Sequence, residues 1–363
     1  RRGRREREKK GIISSACSAI SAVKRDIEMH IPDGYLSPVT AGALYLAVLP
    51  FWYRASQKVK SLFRSRTLPL MALMSAFCFV IQMLNIPLPG GTTGHAVGAS
   101  LAALTLGPWP AVISVSIALT IQALFFGDGG ITTLGANCFN MAVIQVWITY
   151  AVYRVVPGKR PIIAAVAAFI AVNAAAFATA ILLGIQPMIA QKADGTPLYA
   201  PYPLSIAIPA MMIGHMVAGF AEAIVTAAGI TYALKVMPEI LTQKVAEQGT
   251  DSQKTGWVRL KHAWLVLAVL MFLTPLGLLA PGTAWGEWSS DQLKEIGFNF
   301  VPEGLKKWEG FWNAILPDYA IPGLGENTGY LLSALAGVAI IISIYLFTNF
   351  LLRHIKQETS VQS

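Results

Sequence analysis

Residues 161–184 read Pro-Ile-Ile-Ala-Ala-Val-Ala-Ala-Phe-Ile-Ala-Val-Asn-Ala-Ala-Ala-Phe-Ala-Thr-Ala-Ile-Leu-Leu-Gly. No Asp, Glu, Lys or Arg interrupts them, and a helix needs about 20 apolar residues to cross a bilayer. Working outward, further runs fall at roughly 38–54, 67–86, 96–127, 133–153, 204–235, 262–281 and 329–352. The 96–127 run is too long for one ordinary span. Gly107-Pro108 and Pro110 break it, because proline removes a helix donor and glycine loosens the backbone. A short 96–106 helix and a full 109–127 helix are expected there. The chain is thus read as an all-α polytopic membrane protein of about nine segments.

Composition agrees. Of 363 residues, 55% are hydrophobic and 13% charged, against about 25% charged in an ordinary soluble domain. The net charge of +9 is not a nucleic-acid footprint: residues 1–28 hold nine Lys/Arg against four Asp/Glu and so supply +5 of it. The rest orients the chain, since cytoplasmic loops carry the Lys/Arg excess. Arg54, Lys58, Lys60, Arg64 and Arg66 mark one cytoplasmic loop; Arg154, Lys159 and Arg160 mark another. Residues 236–261, with Lys244, Lys254, Arg259 and Lys261, form a third, and Arg353 and Lys356 place the C-terminus inside. Loops 87–95, 127–132, 185–203 and 282–328 then fall outside, with the N-terminus. Cys17, Cys78 and Cys138 give neither zinc spacing nor a disulfide framework.

Residues 1–28 do not fit this orientation, being basic and external. They are read as a signal-like segment, as sequence upstream of a true start at Met29, or as a plain basic tail. The remainder divides into a membrane bundle of about seven helices over 29–240, a polar cytoplasmic linker 241–261, a two-helix segment 262–352 with a long external loop, and a cytoplasmic tail 353–363. Trp285 and Trp288 in that loop read as interface anchors.

Met29-His30-Ile31-Pro32-Asp33-Gly34-Tyr35-Leu36-Ser37-Pro38 precedes the first apolar run. A free amine on Met29, the deprotonated amide of His30 and its ring nitrogen would form fused chelate rings. One more nitrogen completes a tetragonal set suited to Ni(II), Cu(II) and, by extension, low-spin Co(II). His95, in the loop Gly90-Gly91-Thr92-Thr93-Gly94-His95, is the candidate; its plainer reading is a helix cap or surface residue. A second glycine-rich loop, 127–135, leads into a helix that Thr132 or Thr133 would cap. Asn137 and Asn140 lie one turn apart on that helix, read either as helix-to-helix hydrogen bonds or as supports for the histidines. His215, Gly219, Glu222 and Thr226 share one face of a later helix. Glu222 is a functional candidate by default inside a span, since an unpaired carboxylate costs about 2.5–3.5 kcal/mol there; its plainer reading is a protonated acid bonded to a neighbour such as Asn137. Gly214/Ala218 and Gly219/Ala223 form small-residue faces for close helix packing, one of them a possible docking face for a membrane partner.

These stretches, from Met29 through Glu222, resemble the substrate-capture subunits of nickel/cobalt energy-coupling-factor (ECF) transporters, CbiM and NikM, over about 29–240. The 260–352 tail resembles the small two-span NikN/PDGLE-like companion of the same systems, Pro302-Glu303-Gly304 matching its signature loosely. The resemblance implies metal held by Met29, His30 and His95, with Asp33, Thr93, Asn137, Asn140, His215 and Glu222 around them. It implies Co2+ or Ni2+ as cargo with no permanent cofactor, a CbiQ/NikQ-like membrane coupling subunit, CbiO/NikO-like cytoplasmic ATPases, membrane lipid as surroundings and residence in a prokaryotic plasma membrane. No nucleic acid is implied. The chain itself is then no enzyme, and it carries no Gly-x-x-x-x-Gly-Lys-Ser/Thr loop or His-Glu-x-x-His. The alternative is a secondary, proton-coupled transporter or channel using Glu222 and His215. A purely structural anchor would leave the external His and Gly residues unexplained.

Overall fold

The computed structural model describes residues 30–62, 67–236 and 260–361. Met29, residues 1–28, Arg64, Arg66, most of the 241–261 linker and the last two residues of the tail lie outside them. The fold is helical, and among the described residues five helical stretches are long and apolar enough to cross a membrane.

The bundle runs through α1 (Pro38–Leu62), α2 (Thr67–Gln82), a small hairpin of β1 (Ile86–Leu88) and β2 (Thr92–Gly94), α3 (Ala99–Leu106) and α4 (Pro108–Ile121). The α3–α4 break falls at Gly107, φ 81°, with Pro108 opening α4, as the sequence predicts. The hairpin is a departure from the expected plain loop. It pairs Ile86 with Gly94 and Leu88 with Thr92. α4 widens into π turns over Gln122–Phe126. α5 starts as Leu134–Asn137, widens into π turns over Cys138–Gln145 and resumes as Val146–Val155. π turns inside helices concentrate at functional sites; both of these flank the loop 127–133.

α6 (Arg160–Gly184) and α7 (Leu204–Val236) pack along one another. Close approach explains their small residues. A Cβ on Gly219 would lie 2.6 Å from Asn173 Nδ2, and one on Gly229 2.6 Å from Leu101 Cδ1. Gly214 and Gly94 likewise approach Leu88. The small faces of α7 at Gly214 and Gly219 are therefore turned to packing within the chain. Its exposed side carries Ile206, Ile213, Phe220 and Ile224, the apolar dress of a helix facing lipid.

The C-terminal part comprises α8 (Lys261–Leu273, continued as 3-10 turns Thr274–Leu279), α9 (Ser290–Glu295), α10 (Glu303–Trp308) and α11 (Glu326–Val361). α8 and α11 pack on α2. The connecting loop folds back over the bundle. Gly304 N donates to Leu198 O at 2.7 Å, and Ala200 N donates to Tyr35 O at 3.0 Å. Trp285 and Trp288 join an aromatic cluster with Tyr202, ring centroids 4.9 and 5.8 Å away, and Tyr35 OH donates to Trp288 O. They pack this loop down onto the bundle.

Gly34 sits at φ +87°, and a Cβ there would lie 2.7 Å from Leu305 Cα. Only glycine meets both demands cheaply. Gly34→Ala should cost about 1–3 kcal/mol and loosen the loop from the bundle. Limited proteolysis should then cut between residues 282 and 325 faster than in wild type, with cleavage elsewhere unchanged.

Candidate metal site

The start of the described chain is stitched into the loop between α4 and α5. Ile31 N donates to Asn137 Oδ1 at 3.1 Å, and Ile31 O accepts from Gly130 N at 3.1 Å, Asn137 Nδ2 at 3.2 Å and Thr133 Oγ1 at 2.5 Å. Thr133 occupies the N-cap position of α5 but makes no side-chain cap bond; its hydroxyl is spent on Ile31. Asp33 accepts from Ile131 N at 3.2 Å, Thr132 N at 2.7 Å and the Thr132 hydroxyl. Two glycines make room. A Cβ on Gly129, at φ +86°, would lie 2.8 Å from His30 Cβ, and one on Gly130 2.4 Å from Asp33 N.

This stitching fixes His30, which is 3% exposed. Its Nδ1 lies 2.9 Å from Asp128 Oδ1 and its Nε2 2.9 Å from Gln82 Oε1. Gln82 Nε2 donates to Cys78 O and Val97 O, so Oε1 is the atom turned to His30 and Nε2 of the ring donates to it. Asp128 is held in turn by Tyr319 OH, donating at 2.6 Å. Burial alone would lower the His30 pKa, but the Asp128 carboxylate overrides it and leaves the ring above its ordinary value. Burial raises Asp128, and the opposed His30 charge brings it below the usual carboxylate range. The metal-free pair is therefore an imidazolium–carboxylate.

His95 sits edge-on to His30, ring centroids 5.6 Å apart at 66°. Its Nδ1 donates to Ala96 O at 3.0 Å; a carbonyl only accepts, so Nε2 carries the lone pair. Burial and repulsion from His30 lower its pKa to about 4, which keeps the ring neutral with the Nε2 lone pair available. Both rings line a cavity of about 80 Å³ with Thr93, Asn137, His215 and Glu287. His215 Nδ1 donates to Met211 O at 3.0 Å, which again leaves Nε2 as the acceptor.

Three predicted residues do not line this cavity. Asp33 shapes the loop and faces a second, larger cavity of about 660 Å³. Asn140 donates to Thr179 Oγ1 at 2.8 Å, a helix-to-helix bond. Glu222, fully buried, accepts from Val97 N, Gly98 N and Ser100 N at 2.7, 2.9 and 3.2 Å and from Gln145 Nε2 at 3.0 Å. It caps α3, which has no side-chain cap of its own, and does not pair with Asn137. Sequence reasoning missed Gln82, Asp128, Glu287 and Tyr319. Asp128 between glycines was the one visible signal; the others are single residues brought in from distant segments.

Among the described residues, no three His, Cys, Asp or Glu side chains form a metal-ligand set.

The chain has relatives of known family. Residues 30–240 match the family model described as the cobalt uptake substrate-specific transmembrane region (CbiM), and residues 259–354 match the PDGLE domain. The chain is 44% identical to the fused nickel transport protein NikMN of Rhodobacter capsulatus, over 87% of this chain and 95% of that one. It is 41% identical to the probable fused nickel transport protein LarMN of Lactiplantibacillus plantarum, over 91% and 98%. A crystal structure of a truncated transition metal transporter superposes with a TM-score of 0.55 at 51% identity, covering 57% of this chain and 99% of that one.

The sign of the His30–Asp128 coupling is testable. A histidine with a raised folded pKa contributes stability that is complete below its unfolded value, 6.5, and lost as pH rises through the folded value. Melting temperature of metal-free wild-type protein should fall more steeply above pH 6.5 than that of Asp128→Asn, measured by intrinsic fluorescence in detergent. From these matches the chain belongs to the CbiM family of nickel/cobalt transport proteins, as a multi-pass membrane protein with a PDGLE domain fused behind the family's transmembrane region.

Proposed function

We propose that this chain is the substrate-binding subunit of an ATP-driven ECF-type uptake transporter and captures Co2+ or Ni2+ at a nitrogen-ligand site on the outer face. The observation that carries the reading is the pair of edge-on, buried histidine rings beside the clamped backbone of Ile31. Met29 would supply its amine, His30 its amide and ring nitrogens, and His95 its Nε2. The His30 ring nitrogen that closes a chelate with its own amide is Nδ1. Nε2 is committed as donor to Gln82, which fixes the tautomer once the Nδ1 proton leaves. The ion then takes the place of that proton, and Asp128 remains beside it as a negative charge.

On this reading the chain crosses the membrane nine times, N-terminus outside and C-terminus inside, and separate coupling and ATPase subunits supply the power. Met29 carries a free amine only if residues 1–28 are absent from the working protein. The proton-relay alternative gains no support from Glu222, whose oxygens are occupied by four donors outside the cavity.

His30→Ala and His95→Ala should each reduce Ni(II) and Co(II) retention by the purified chain at least tenfold, on the order of 1.4 kcal/mol or more, measured by inductively coupled plasma mass spectrometry after desalting. A chain that begins at Met29 should retain metal, and one with residues 1–28 still attached should not. Tight binding by the extended chain overturns the terminal-amine assignment. Gradient-driven ion flux through the chain alone in proteoliposomes overturns the ATP-driven reading.

A further inference from the structure

The cavity wall holds one carboxylate that the ligand set above does not use. Glu287 belongs to the fused PDGLE domain, is 6% exposed, and lines the cavity together with His30 and His95. Among the described residues no hydrogen-bond donor reaches its Oε2. Its neighbours in the chain are pinned. Thr93 and Ala284 form a backbone bridge, Tyr202 OH donates to Gly286 O at 3.0 Å, and Gln292 Nε2 donates to Thr283 Oγ1 at 2.9 Å. Gly282 lies so close to the hairpin that a Cβ there would stand 2.2 Å from Gly91 O. The segment is built to hold this side chain in place, and a buried carboxyl oxygen without a donor is costly unless something else satisfies it.

We infer that Glu287 is a metal-site residue: the PDGLE domain contributes this carboxylate to the cavity, where it receives the incoming divalent cation through one of the ion's own waters. The inference rests on the capture reading. Asp128, the other carboxylate beside the rings, is engaged by His30 and Tyr319, so Glu287 is the acceptor left for a hydrated ion as it enters. Contact through water, and not direct ligation, follows from the absence of a three-side-chain ligand set among the described residues. Groups that hold a metal in this indirect way commonly change affinity by about 10–100-fold.

The test loads the metal-free full chain, beginning at Met29, with NiCl2 or CoCl2 and follows uptake rate and retention. Glu287→Gln, similar in shape and uncharged, should slow loading and weaken retention about tenfold or more, with the metal-free melting temperature equal to or above that of wild type. Glu287→Asp keeps the charge and should retain more metal than Glu287→Gln, a ranking that holds even if either variant melts lower. Equal loading and retention by wild type and Glu287→Gln, or equal retention by the Gln and Asp variants, overturns the inference while leaving capture by His30 and His95 intact. If wild type retains neither ion, the capture reading falls and this inference with it.

Discussion

Four hydrogen bonds on the backbone of one residue, Ile31, govern the arrangement of everything around them. Its amide and carbonyl are taken up by Asn137, Gly130 and Thr133, so the preceding residue cannot swing. With Ile31 fixed, His30 meets Asp128 and Gln82 together, and its ring faces His95. The glycines at 129 and 130 follow from the same constraint, because any side chain there would push the stretch 30–33 out of its seat.

The fused domain belongs to the same construction. Tyr319 steadies Asp128 by a hydrogen bond and stacks on Phe126, centroids 4.7 Å apart. Both Asp318 and Tyr319 adopt positive φ, a conformation that bulky residues tolerate only when their surroundings enforce it. Leu305 presses on Gly34 from above. The PDGLE domain therefore touches the tip, the carboxylate behind the histidine and the cavity wall.

How much of this was legible in the sequence differs by element. The long apolar runs announced the helices, and Gly107-Pro108 marked the break between α3 and α4, because these are local properties of the chain. The two histidines were legible as a pair through loop charge, which put 87–95 and the tip on one side. Glu222 was visible as an anomaly in an apolar helix, yet its work as a cap for α3 depends on a tertiary meeting that spacing does not encode. Gln82 and Glu287 were hidden for a related reason. One closes an apolar helix and the other sits between two tryptophans, so each looks ordinary until a distant segment is folded against it. The β1–β2 hairpin was missed because Pro87 and paired glycines read as plain loop.

The seat of the stretch 30–35 is assembled from residues far along the chain: Gln82, Asp128, Asn137, Ala200 and Leu305 all touch it or hold what does. Synthesis delivers that stretch before all of these partners, and the last of them only near the end. Contacts so distant in sequence form late, after the cost of closing long loops has been met. The stretch 30–35 must then wait, unseated, while every later segment that will hold it is made. The site is complete only once the last of those segments has been made.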